Sequence, residues 1–314
     1  MHSNEGTPSQ KKNHMLKAAA QFVVDAIKEE LGHPSSLVKL ITKEPGLNKP
    51  LVEYDKGISS DEVVKWHEFG NLSYERSRPC KGSLNGFGHC PGANRNYGGV
   101  SVRREDLLNL GTTREVEKWE CDIQDVDGFS ASKSELHLFK SMDAMVEKNS
   151  REMIDEITPE KLAENLAWDE IRIISRVDHD FFQTWSWDGR VFLMNSGGSH
   201  HFAASKYIAK RLTIKVPLSG RYLVHSINQV ALESLTRDFE IFVMSSHHRH
   251  QMGFHRAMQS FKATYYWKDL PRPYSDQCAV FLPKTEKRSA KVAEILRASA
   301  FQDLGRYLKD LSTR

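Results

Sequence analysis

From Met15 to Leu31 apolar residues recur at helical spacing, with Leu16, Ala19, Phe22, Val23, Ala26, Ile27 and Leu31 on one face. Gly32 and Pro34 then end the run. The opposite face carries Asp25, Glu29 and Glu30, which an anionic bilayer repels, so the pattern predicts a core-facing helix and not a membrane-surface one. Residues 1–14 ahead of it are polar and aperiodic and are expected as a flexible tail. Residues 135–157 suit one or two helices. Thr158-Pro159-Glu160 reads as N-cap, N1 proline and first-turn acid, opening a short helix that reaches about Trp168.

The period then changes. Ile171, Ile173 and Ile174 predict a strand, residues 178–188 a loop rich in large aromatics, and residues 190–194 a second strand. Residues 199–210 predict a helix and 212–216 a third strand. Strand, glycine turn, helix, strand is an α/β arrangement. Phe239 to Met244 is a further strand-like run, and the chain beyond Arg288 reads as helix through Val292, Ile295, Leu296, Phe301, Leu304, Tyr307 and Leu308. Between 76 and 100 the density of Gly, Pro and Asn predicts a long loop. The expected organisation is a tail (1–14), a helical region with that loop (15–157), an α/β core (158–285) and C-terminal helices (286–314). The fold class is α+β with an α/β-like core on a small mixed sheet.

Composition changes this picture little. The 314 residues carry 44 Lys and Arg against 41 Asp and Glu, a formal charge of +3, which does not by itself signal nucleic acid. From Ser245 onward, however, thirteen basic side chains face six acids, so a nucleic-acid or protein partner is expected, if anywhere, at this end. Four cysteines are too few for a disulfide scaffold and favour a reducing, cytoplasmic compartment. No apolar run reaches the roughly 18 residues of a membrane span, and no secretory h-region is present near Met1, so no membrane partner is expected. No G-x-x-x-x-G-K-S/T loop, G-x-S-x-G elbow or H-E-x-x-H motif occurs.

Candidate chemistry centres on Asn195-Ser196-Gly197-Gly198-Ser199-His200-His201-Phe202-Ala203-Ala204. An apolar strand ends at two glycines that allow close approach to the backbone. The helix then presents unpaired N–H groups and its positive dipole end, which suit a phosphate. Ser199 can cap the helix or donate to an oxyanion, and His200 and His201 can do the latter. Gly197, Gly198, Ser199 and His200 are therefore the expected ligand-binding residues, with Ser199, His200 and His201 as catalytic candidates. His200→Ala and Gly198→Val are expected to abolish binding and Ser199→Ala to weaken it less.

A second cluster, Ser245-Ser246-His247-His248-Arg249-His250-Gln251-Met252-Gly253-Phe254-His255-Arg256, follows the strand-like run at 239–244. Here a histidine-rich surface loop, an anion site and a metal site remain open; no metal ligand set is assigned. If the chain turns there, Arg249 and Arg256 supply cations to the phosphate, while His250 and His255 are further catalytic candidates. The two clusters are expected to converge, because both follow strands, with binding weakening as pH rises through the histidine range. Arg76, Arg78 and Arg95 are phosphate contacts in reserve, and the spacing of Cys80, His89, Cys90 and Cys121 argues against zinc. Asp178-His179-Asp180 reads as a solvated turn or as a base or magnesium ligand. Trp185, Trp187, Tyr265, Tyr266 and Trp267 are core anchors or base-stacking rings.

Asp188-Gly189, the strand after it and Ser196 to Ala204 resemble the signature of the ParB/sulfiredoxin superfamily over about residues 171–216. Sulfiredoxins read Phe-Gly-Gly-Cys-His-Arg-Tyr-Ala-Ala at this turn, and Lys215-Val216-Pro217 resembles the strand that follows. The resemblance implies a sheet of that type and a nucleotide, ATP or CTP, held by its phosphates at the turn with Mg²⁺. It implies an NTP-dependent phosphotransferase or hydrolase, with a non-catalytic nucleic-acid- or protein-binding module and a nuclease using histidines 247–255 as alternatives. Ser199 replaces the sulfiredoxin cysteine and leaves no thiolate, which argues against sulfinic acid reductase activity. His201 replaces the phosphate-binding arginine.

Overall fold

The computed structural model describes residues 21, 23–53, 56–71, 81–89, 97–175 and 179–314. After a helical stretch at 23–30 come α1 (Ser35–Lys43), β1 (Ser83–His89), β2 (Tyr97–Arg103), α2 (Glu105–Leu108), β3 (Gly111–Asp122) and β4 (Gly128–Phe129). The chain continues through α3 (Met142–Asn149), α4 (Pro159–Leu166), α5 (Arg172–Ser175), β5 (Phe181–Trp185), β6 (Val191–Met194), α6 (Ser199–Leu212) and β7 (Pro217–Ile227). It ends with α7 (Gln229–Asp238), β8 (Phe239–Ser245), α8 (His248–Phe261), β9 (Tyr265–Asp269), β10 (Gln277–Pro283), α9 (Lys287–Ala298) and α10 (Leu304–Ser312).

The fold is α+β, and among the described residues the strands form two five-stranded sheets instead of one small one. The first has the order β3-β7-β5-β6-β4 and is mixed: β5 runs parallel to β7, and β4 to β6. The second, β2-β1-β9-β10-β8, is antiparallel at every pairing. Alternation sorts the side chains into three cores. Trp185, Phe192 and Ile227 of the first sheet join Ile241, Val243, Ala279 and Phe281 of the second in one shared cluster. On the other side of the first sheet, Phe182 and Leu193 pack against Phe202, Ala203 and Ile208 of α6 and Met145 of α3. On the other side of the second, Phe242, Met244 and Val280 pack against Phe254, Met258 and Phe261 of α8 and Val292 of α9. Both faces of β8 and β10 are thus buried, which explains their almost unbroken apolar sequence.

Several local expectations change. The region 15–157 contributes β1 to β4 and is not simply helical. The expected loop 76–100 overlaps the β1–β2 antiparallel ladder, with Ser83 opposite Arg103 and His89 opposite Tyr97. Gly86 belongs to that ladder because β9 passes so close: a Cβ there would lie 1.9 Å from the Tyr265 carbonyl oxygen. Ile171 to Ile174 enter the one-turn helix α5, closed by Ile174 N–H and Ser175 N–H donating to the Ile171 carbonyl at 3.0 and 3.1 Å. The aromatic stretch expected as loop is β5, a strand paired on both sides whose Phe182 and Trp185 are fully buried. The strand expected at 212–216 starts only at Pro217, because Thr213 takes a left-handed φ of 57° and closes α6. The helix at 23–30 docks by its polar side. Glu29 is buried, accepting from Ser36 N–H at 2.9 Å and from the Ser260 hydroxyl, and Val23 and Ile27 of the supposed core face are each 55% exposed. The 1–14 tail lies outside the described residues. The C-terminal helices are where the period placed them. Among the described residues no helix is long and apolar enough to cross a membrane.

Candidate functional site

β6 ends at Met194, and the next four residues are fastened from three directions. Asn195 Nδ2 donates to the carbonyls of Ala131 and Gly197, both at 2.9 Å, while its Oδ1 accepts from Ala131 N–H at 3.2 Å. The Ser196 amide donates to Asp180 Oδ1 at 3.3 Å, and Arg172 donates to the Ser196 hydroxyl. Burial raises the pKa of the Asp180 carboxyl, opposed by its bonds from Ser196. Gly198 then takes a φ of 70°, and a Cβ there would stand 2.6 Å from the Glu170 carbonyl oxygen. The second glycine is demanded by the chain crossing behind it, and not by an arriving ligand.

Gly198 is the N-cap of α6, and among the described residues no side chain caps the helix. Its first-turn N–H groups therefore have no intrahelical acceptor. Ser199, expected as a cap, is the first helical residue; its hydroxyl donates instead to Ser132 Oγ at 2.9 Å, and it is almost fully buried. His200 is held at both ring nitrogens, by the Ser150 hydroxyl at Nδ1 and the Ser134 hydroxyl at Nε2, 3.1 Å away. Asn149 Nδ2 fixes Ser134 at 2.7 Å. His201 Nδ1 pairs with Asn165 Oδ1 at 3.0 Å, and its ring stacks on Trp168 with centroids 4.4 Å apart and planes 17° from parallel. Burial, followed by the Lys133 charge, lowers the His200 pKa; burial, followed by His200 itself, lowers that of His201. Both imidazoles are therefore neutral at neutral pH.

The turn opens into a cavity of about 630 Å³. Besides residues 196–201, its wall includes Lys133, Ser150, Glu152, Trp168 and Glu170. Among the described residues one lysine and a helix start thus face two carboxylates, giving the site mixed charge. Sequence reasoning found the turn but not these partners. They come from loops and helix ends scattered over residues 131–170, where no motif marks them.

The second cluster lies elsewhere. Residues 248–256 are helix α8 and not a loop. α6 packs on the outer face of the first sheet and α8 on that of the second. Arg249 pairs with Glu44, His250 Nε2 lies 3.9 Å from the same carboxylate, and His255 Nδ1 is 3.0 Å from Tyr265 Oη. Neither cavity that His248, Arg249, His255 and Arg256 line includes His200 or His201. The expected convergence does not occur, because β6 and β8 belong to different sheets. The pH dependence built on it loses its basis as well.

Trp185, Trp187 and Tyr266 belong to the core shared by the two sheets, and Tyr265 and Trp267 to the core beneath α8, where both also line a cavity. Arg76, Arg78, Cys80, Cys90, Arg95 and Asp178 lie outside the described residues. Among the described residues no group of three or more His, Cys, Asp or Glu could hold a metal ion. Cys121 and Cys278 carry free thiols that burial pushes up to a pKa of about 12.

Comparison with curated proteins gives no match, and neither does comparison with solved structures. The model of a family of unknown function, DUF6685, matches residues 116–314, which hold every residue of the turn and its cavity wall. Because that match covers more than half of the sequence, the chain belongs to the DUF6685 family.

Proposed function

We propose that the cavity at the Gly197–His201 turn binds a nucleotide, with its phosphate at the start of α6 and its base on Trp168. The observation that carries this reading is the convergence of an uncapped helix N-terminus, Lys133 and a half-exposed Trp168 on one cavity of about 630 Å³. First-turn N–H groups and the helix dipole stabilise a phosphate, and Lys133 adds a charge-assisted contact. Trp168 has one face on His201; stacking of a base on such a ring is worth about 1–3 kcal/mol. The resemblance of Ser196 to Ala204 to the ParB/sulfiredoxin turn supports the same placement. The charge balance favours a monophosphate over a triphosphate, since Glu152 and Glu170 repel added negative charge and can accept from sugar hydroxyls instead. His200, engaged at both ring nitrogens, orders Ser150 on the wall and Ser134 behind it.

Calorimetry with the four common ribonucleoside monophosphates, their triphosphates with and without Mg²⁺, and ribose 5-phosphate tests the proposal. At least one monophosphate is expected to bind more tightly than its triphosphate. Lys133→Ala should weaken it about tenfold or more, as loss of a charged hydrogen bond does. Trp168→Ala should weaken the nucleotide but not ribose 5-phosphate. Affinity should stay flat from pH 7 to 8.5, because both histidines are already neutral there. Failure of every nucleotide to bind at millimolar concentration, or wild-type affinity in both variants, would overturn it.

A further inference from the structure

Helix α8 borders two cavities that share Met252. The first, about 240 Å³, lies between α8 and the second sheet, walled by Phe87, Phe254, Tyr265, Trp267 and Val280. Among the described residues no lysine, arginine or carboxylate lines it. Phe87 and Trp267 stand nearly parallel, 12° apart with centroids at 5.7 Å, and Phe87 lies 4.3 Å from the His255 ring. Tyr265 Oη takes His255 Nδ1, so Nε2 is the polar atom His255 can offer a ligand.

The second cavity, about 450 Å³, has a charged wall: Lys43, Glu44, His248, Arg249 and Arg256. Glu44, its one carboxylate among the described residues, is engaged by Arg249. Lys43 and Arg256 are exposed and have no carboxylate partner among the described residues. His248, Met252 and Arg256 follow one another at four-residue steps along one face of the helix. An aromatic slot therefore adjoins two cations, unpaired among the described residues, across a single flexible side chain.

We propose that this groove binds a small amphipathic carboxylate, its ring or short alkyl tail in the aromatic cavity and its carboxylate on Lys43 and Arg256. The size fits, since apolar cavities of about 150 Å³ take up benzene and this one, at about 240 Å³, has room for a ring and a short chain. The chemistry fits too. Mostly apolar walls with a few polar groups at one end are the usual make-up of a small-molecule site, and a guanidinium grips a carboxylate through paired hydrogen bonds. Met252, polarisable and unbranched, adapts to whatever crosses between the cavities.

Titrating the full chain with phenylacetate, indole-3-acetate and octanoate, against acetate and benzyl alcohol, tests this by calorimetry and Trp267 fluorescence. At least one of the three should bind about tenfold or more tightly than either acetate or benzyl alcohol, the advantage of one charge-assisted contact on top of apolar burial. The double variant K43Q/R256Q, altered only at exposed positions, should lose that advantage while still taking up benzyl alcohol. M252W, which plugs the junction from a partly exposed position, should weaken the best carboxylate. Binding of all three no better than acetate, or wild-type affinity in K43Q/R256Q, would refute the proposal.

Discussion

At Gly198 two demands fall on one atom: the φ of 70° disfavours any Cβ, and the Glu170 carbonyl oxygen, 2.6 Å from where that Cβ would sit, excludes it sterically. Gly189 has a similar φ of 81° but nothing within 4 Å of the same position. The pair separates the two effects. Gly189→Ala should cost about 1–2 kcal/mol, the left-handed penalty alone. Gly198→Ala should cost about 2–4 kcal/mol, because crowding of Glu170 adds to it. Urea denaturation of both variants decides the matter, and equal losses would show that the contact with Glu170 does nothing. Any loss of binding in Gly198→Val is thus expected through distortion of the turn and not through a blocked ligand.

Among the elements, those defined by local chemistry were legible and those defined by distant partners were not. Thr158 caps α4 as its sequence implies, accepting from Lys161 N–H at 3.2 Å with Pro159 at N1. Thr158→Ala should cost about 1 kcal/mol in a urea titration. It should also loosen His201, since α4 carries Asn165, which holds that ring; broadening of the His201 ring signals in NMR spectra would report it. The strand–Gly-Gly–helix junction and the two C-terminal helices were equally readable, from punctuation and period. β5 was not, because Phe181 to Trp185 become a strand only by pairing with β6 and with β7 some forty residues on. The hairpin of β1 and β2 was hidden by glycines such as Gly86, whose reason is the backbone of β9 far along the chain. The turn of the candidate site was visible for the first reason, and its wall of Lys133, Glu152, Trp168 and Glu170 invisible for the second.

For the whole molecule the consequential feature is the core shared by the two sheets, because titratable groups are enclosed beside it. The His67 and His225 rings stack 3.9 Å apart next to Trp185, and His225 Nδ1 bonds Thr113 Oγ1 at 2.8 Å across the β3–β7 ladder. His67 Nδ1, His225 Nε2 and Trp185 Nε1 are buried without a hydrogen-bond partner among the described residues. Burial, then the charge of neighbouring groups, lowers the His67 pKa to about 3 and that of His225 to about 4. Lys65, whose ammonium lies 3.5 Å from the centre of the Trp185 ring, adds to both shifts. The Glu68 carboxylate, 3.6 Å from His67 Nε2, is exposed and does not offset the burial. Between the unfolded value near 6.5 and these folded values, the unfolded chain binds more protons than the native one, so stability rises with pH. The stabilisation is complete above about pH 6.5 and is lost as pH falls toward 4. Carboxylates begin to titrate at the lower end of this window, so a variant must isolate the histidines. His67→Phe keeps an aromatic ring against His225 and removes one ionisable group together with its unpaired nitrogen. Between pH 7 and pH 4.5 the urea midpoint of the wild type should therefore fall further than that of the variant. Parallel curves would mean that the two buried rings do not carry the acid sensitivity of the fold.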